Sequence, residues 1–154
     1  MEAEIQGYLT ELNILREQIR GAVRELSDEG ANWHPLPEAT NSIYAILAHL
    51  MDVDHFWVFQ VIGEKDLKHD RDAVFRAFGN LKELLIRWEK SWVEIETTLG
   101  KLTPAQLLES SPSPMPARNE TLTIQWIILH LISHYAIHLG HIQLTRQLWE
   151  QHCR

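Results

Sequence analysis

Apolar residues recur along the chain at intervals of three and four, the spacing of one helix face, in four long stretches separated by turn-rich breaks. The first runs from about Ala3 to Leu26 and aligns Ile5, Leu9, Leu12, Leu15, Ile19, Val23 and Leu26. It stops in the polar Ser27-Asp28-Glu29-Gly30. The stretch "NWHPLPEATN" reads as loop, because Pro35 and Pro37 hold the residues before them extended, and Thr40 or Asn41 can cap the next helix. That helix spans about Ser42 to Ile62 and stops at Gly63. The third, about Arg71 to Leu99, sets Val74, Phe78, Leu81, Leu85, Trp88, Trp92, Ile95 and Leu99 along a bundle seam, with Gly79 as its weak point. "TPAQL" then predicts one helical turn with Thr103 as cap and Pro104 first, and "SSPSPMPARNE" predicts loop. The fourth helix runs from about Thr121 to Glu150. With no strand-like alternation and no internal repeat, residues 1–154 read as one all-α domain, a four-helix bundle with a long loop before the last helix.

Composition restricts what such a bundle does. A chain of 154 residues, 45% apolar and 23% charged, has the balance of one globular domain. Its formal charge of -7 argues against a broad phosphate-binding surface, so no nucleic acid is expected as partner. The N-terminus lacks the positive region of a secretory signal, and no apolar run is expected to approach the roughly 20 residues of a bilayer span. A cytoplasmic protein without a membrane partner is the expectation. Cys153 is the single cysteine, which excludes an intrachain disulfide and a thiolate cluster, and the Asn119-Glu120-Thr121 sequon is then incidental.

The chemistry on offer is imidazole. Four of the nine histidines crowd into "LHLISHYAIHLGHIQ" as His130, His134, His138 and His141. At about 100° per residue all four lie along one edge of the fourth helix's apolar stripe, with His138 deepest, His134 next and His130 nearer solvent. His134 and His138 are one turn apart and can converge on one ion. This spacing also occurs on ordinary helix surfaces, so a third ligand from another element is required. His49 on the second helix is the best placed, bordering an apolar stripe of its own. His55 falls on the opposite side of that helix, toward water. His34 in a loop, His69 in a polar linker and His152 at the chain end read as solvated. Asp54 falls within the apolar arc of the second helix, where a carboxylate needs a partner: a ligand imidazole that it orients, or else Trp33, a backbone amide or a lysine.

The stretches "NWHPLPEATNSIYAILAHL" and "TLTIQWIILHLISHYAIHLGHIQLTRQLW" resemble the DinB-like (DNA-damage-inducible) metalloprotein superfamily, which includes thiol-S-transferases and mycothiol-dependent enzymes. The first is similar to that family's Trp-x-Pro loop, Asn-Ser-Ile helix start and first metal histidine, the second to its His-x-x-x-His-x-Gly-Gln signature. The resemblance implies a metal triad of His49, His134 and His138, an up-up-down-down bundle and a homodimer. Leu139 stands where members often carry Arg, and His141 where they carry Gln, so His141 is a candidate to supplement or support the ligands.

Three neutral imidazoles would leave a divalent ion's charge uncancelled and a coordination position open, which suits activation of water or of a thiol. The expected function is metal-dependent thiol-S-transferase-like or hydrolase-like chemistry on a small-molecule substrate, such as a low-molecular-weight thiol. Zinc, nickel and iron(II) all accept such ligands, zinc or nickel foremost. The competing expectation is a noncatalytic helical dimerisation module with a vestigial or structural metal site.

Overall fold

A computed structural model describes residues 2–65, 74–112 and 121–154; His69 and the sequon residues Asn119 and Glu120 lie outside the described residues. Helix α1, Ala3–Val23, buries Ile5, Leu9, Leu12, Leu15, Ile19 and Val23, the face its periodicity predicts, together with Arg16. It ends before Leu26 because Glu25 turns to a φ of 61°. Ser27 then caps a short helix α2, Asp28–Asn32, where only a polar break is expected. Gly30 lets α2 lie against the last helix, since a Cβ there would stand 2.5 Å from Trp149 Nε1.

Helix α3, Ile43–Asp54, is capped by Ser42 rather than Thr40 or Asn41, with Ser42 Oγ accepting from the Ala45 amide at 3.1 Å. It runs on as a π-helical segment, His55–Ile62, closing with a five-residue bond from the Gly63 amide to the Val58 carbonyl at 2.9 Å. The combined Ile43–Ile62 stretch is long and apolar enough to span a bilayer by length and composition alone, which the sequence reading missed. Half of it is buried inside the protein and it carries Asp54 inward, so it serves as the bundle's core helix.

The third main helix, α4, Leu81–Leu99, begins well after Arg71. Asn80 caps it, accepting from the Glu83 amide at 2.9 Å, and the Asp28 carboxylate fixes the start by accepting from Asn80 Nδ2 and the Leu81 amide, both at 2.8 Å. Gly79 is therefore the joint before the helix, at a φ of 157° against Tyr44. Phe78, expected on the seam, precedes the helix and is 82% exposed, while Leu81, Leu84, Trp88, Trp92, Ile95 and Leu99 form the buried face. The turn α5, Pro104–Leu107, carries the predicted Thr103 cap, completed to a capping box by Gln106. Two short antiparallel strands follow where loop and helix start are expected, β1 (Ser110–Pro112) and β2 (Thr121–Thr123). Thr123 leaves the ladder to cap α6, Ile124–His152, accepting from the Trp126 amide at 3.1 Å.

Side-chain contacts give the directions of the four main helices. Gln125 bonds Glu4 and Tyr8 at one end of α1, and Arg146 bonds the Ala22 carbonyl at the other, so α1 and α6 run the same way. His49 meets His134 while Trp57 meets Trp126, so α3 and α6 are antiparallel. Tyr44 lies near Gly79 and Lys65 pairs with Glu94, so α3 and α4 are parallel. The arrangement is up-down-down-up, which corrects the up-up-down-down order expected from the resemblance. With α3 and α4 parallel, the end of α3 and the start of α4 lie at opposite ends of the bundle, whereas α4 ends at the same end at which α6 begins.

Between these helices sits a polar knot. Arg16 is 3% exposed, its guanidinium carbon 3.9 Å from the Trp88 ring centroid and 4.7 Å from that of Trp92. It donates to the Tyr135 hydroxyl at 3.2 Å and the Trp88 carbonyl at 3.0 Å, and Tyr135 donates to Asp54 at 2.5 Å. One network thus ties α1, α3, α4 and α6 together.

Candidate metal centre

His49 lies on α3 one turn after the buried Ala45 and Ile46, and the opposed direction of α6 brings its third and fourth turns alongside. The positions sequence spacing selects therefore meet in space. His49, His134 and His138, all half-buried, offer ligand atoms within 4.8 Å of one another. His49 Nε2 and His134 Nε2 are 3.0 Å apart. Two nitrogens bound to one zinc at about 2.0–2.1 Å in tetrahedral geometry stand about 3.3 Å apart, so the cluster needs only a small side-chain adjustment to close on an ion.

The electrostatics favour the state a metal requires. Burial, reinforced by the charges of His49 and His130, lowers the His134 pKa to about 4. Burial, with His134, His49 and His141 beside it, lowers that of His138 to about 3. Both rings are neutral at physiological pH with lone pairs available. Three imidazoles converging with no carboxylate grouped with them among the described residues fit a divalent ion of borderline character such as zinc or nickel.

The remaining candidates separate around this cluster. His141 is exposed, and its Nδ1 is 3.4 Å from His138 Nδ1, next to a ligand. Asp54 is buried, and among the described residues it meets Tyr135 and the charge of Arg16 rather than a candidate ligand imidazole, Trp33, an amide or a lysine. Burial pushes its pKa up to about 7 even though Arg16 and the Tyr135 bond pull it down. His130, expected nearer solvent, is half-buried in an aromatic stack, its ring centroid 5.0 Å from that of Trp126 and 5.6 Å from that of Trp57, and it meets His134 edge to face at a centroid separation of 5.7 Å. His55 is exposed as expected. His34 is no free loop residue, since its Nδ1 bonds the Thr40 carbonyl at 2.8 Å, and His152 stacks on Trp33 at 5.2 Å.

Sequence reasoning also passed over Phe75, whose ring packs 4.6 Å from that of His49. It lies within the expected third helix but off its apolar seam, where periodicity gives no reason to single it out. The Arg16 and Tyr135 knot was likewise missed, and a charged residue inside an apolar helix face was the available signal.

The comparisons with known proteins agree with this geometry. The mycothiol-S-transferase family model matches residues 7–151, and the chain belongs to that family, one of the DinB-like group. An uncharacterized protein of Bacillus subtilis, YkkA, is 26% identical over an alignment covering 74% of this chain and 70% of that protein. A crystal structure of a conserved protein from Enterococcus faecalis shares the fold at a TM-score of 0.71, covering 96% of this chain and 97% of that one, at 16% identity.

Proposed function

We propose that this member of the mycothiol-S-transferase family is a metal-dependent thiol transferase that joins a low-molecular-weight thiol to a small acceptor molecule. The observation that supports this most is the convergence of three imidazoles, His49, His134 and His138, at the half-buried edge of the bundle, with His134 and His138 held neutral by burial. A divalent ion held there would act as a Lewis acid, favouring the thiolate form of a thiol at neutral pH. In the transfer the thiol proton goes to solvent, a carbon–sulfur bond forms, and the acceptor's leaving group departs with its electron pair.

The chain's own residues set the conditions for this. Desolvated His134 and His138 stay unprotonated and keep their nitrogens available down to mildly acidic pH. Phe75 packs on His49, and His130, itself stacked on Trp126 and set against Trp57, packs on His134, contacts that restrict rotation of both imidazoles. His141, beside His138 Nδ1, is positioned to hold that ring with its Nε2 free. Hydrolysis by the same centre, a homodimeric state and a cytoplasmic location belong to this proposal as its finer parts.

Elemental analysis of protein purified without a His-tag tests it. About one divalent ion per chain is expected, lost in His138→Ala, with thiol consumption in the presence of a chlorinated aromatic acceptor falling in parallel. Metal content unaffected by His138→Ala would overturn the site. A fully loaded protein that consumes no thiol and cleaves no ester would favour the noncatalytic reading.

A further inference from the structure

Beside His138 the surface falls into a groove of about 770 Å³ that follows α6 toward its C-terminal end. Ile46, Leu144 and Leu148 contribute its apolar lining, Pro35 and Leu36 of the loop before α3 contribute a wall, and the stacked pair Trp33 and His152 lies toward the far end. Three side chains that a soluble surface ordinarily covers stand open here: Leu36 is 60%, Leu144 56% and Leu148 43% exposed. Such concentration in one concavity marks a binding site more often than scattered surface apolars do.

Charge narrows the occupant. Among the described residues the groove lining holds imidazole, amide and hydroxyl groups but no Asp, Glu, Lys or Arg. The charged groups lie in a separate cleft of about 470 Å³, which shares Ala39, Thr40 and Asn41 with the groove and presents Glu38 and Arg76. A charged ligand would lose hydration in the groove without finding a counter-charge, whereas an uncharged apolar body loses none. The volume lies in the range of small-molecule sites.

We propose that this groove binds an uncharged, predominantly apolar small molecule, aromatic or alkyl, and seats the acceptor with its reactive end toward His138. The acceptor role rests on the thiol-transfer reading; the binding of an apolar ligand does not.

The test uses the full chain and N-phenyl-1-naphthylamine, an uncharged probe that fluoresces in dry apolar sites. Saturable binding is expected, with Leu144→Glu and Leu148→Glu each weakening it at least tenfold. Both positions are open enough to accept the change without unfolding the helix. Ile137→Glu is the control, because Ile137 is 57% exposed on the same helix but outside the groove. Wild-type probe affinity in that control and unchanged metal content in all three variants complete the expected result. Probe binding that does not saturate, or that Ile137→Glu weakens as much as Leu148→Glu, overturns the proposal. So does a change from dimer to monomer in Leu148→Glu with probe affinity unaltered, which would make a second copy the occupant. Intact, groove-specific probe binding in a metal-loaded protein that turns over no thiol would instead sink the transferase reading and leave the groove standing.

Discussion

Replacing Arg16 with Met probes the polar knot through its pH dependence. Met keeps much of the apolar contact with Trp88 and Trp92 but removes the charge that faces Asp54 and the donors to Tyr135 and the Trp88 carbonyl. Two lost hydrogen bonds in a buried setting cost about 1–2 kcal/mol. The rest depends on Asp54. In the unfolded chain its carboxyl titrates near 3.8, and in the folded protein near about 7. As pH rises between those values the unfolded state releases a proton that the folded state keeps, so folding loses about 1.4 kcal/mol per pH unit until the folded pKa is passed. In the wild type this loss ends near pH 7. Without the Arg16 charge the folded pKa moves higher, so the loss continues above that pH. Urea unfolding of metal-free wild type and variant, followed by circular dichroism, should give a penalty of about 1–2 kcal/mol near pH 5.5. Near pH 8.5 it should reach about 3–5 kcal/mol, the cost of an uncompensated buried charge. Against a typical total of about 5–15 kcal/mol that is a large fraction. Asp54→Asn added to Arg16→Met should remove the pH-dependent part and leave the rest. A penalty equal at both pH values, or below about 1 kcal/mol throughout, would refute the coupling.

Other expectations are simpler to check. The pKa values of His134 and His138 are depressed on folding, so their contribution to metal-free stability is fully present above the unfolded value of 6.5 and lost as pH falls toward about 4 and about 3. Denaturant titrations across this window should show a flatter acid limb in the His134→Gln/His138→Gln double variant than in the wild type. Gly79→Ala should cost at least about 1 kcal/mol in urea, because φ there is 157° and the new Cβ would stand 2.9 Å from the Tyr44 hydroxyl; an unaffected midpoint would mean that this joint relaxes freely. Ser91 Oγ is buried with no hydrogen-bond partner among the described residues, so Ser91→Ala should leave stability unchanged or raise it by up to about 1 kcal/mol, read as an unaltered or higher melting temperature.

How much of this was legible beforehand follows from what each signal measures. Apolar period reports which face of a helix is buried, so α1 and α6 were readable nearly to their ends. It reports direction not at all, and the family's expected order was wrong where only contacts such as Lys65 with Glu94 could decide. The overlong third helix came from extending a heptad through Gly79, where a capping Asn80 bonded to the distant Asp28 stops it. The bonds to Asp28 span 52 and 53 residues, a separation that helical periodicity does not report. The histidine triad is accessible because two of the candidate ligands share a helix and the third borders an apolar stripe. Asp54 was recognised as inward and needing a partner, but Tyr135 sits beside His134 in sequence and drew no notice as its donor.

That adjacency of His134 and Tyr135 has a structural consequence. Neighbouring helical residues point about 100° apart, so one turn of α6 turns His134 toward the metal cluster and Tyr135 into the core. On α3, His49 and Asp54 divide in the same way. The same two helices are therefore joined twice, by imidazoles at the edge of the bundle and by the 2.5 Å bond from Tyr135 to Asp54 at its centre. Sliding α6 along α3 far enough to part the imidazoles would also break the inner bond and leave a carboxylate buried without its donor, at a cost of several kcal/mol. The inner bond thus restrains the spacing of the outer cluster before any ion arrives, so less of the binding free energy is spent on bringing the ligands together.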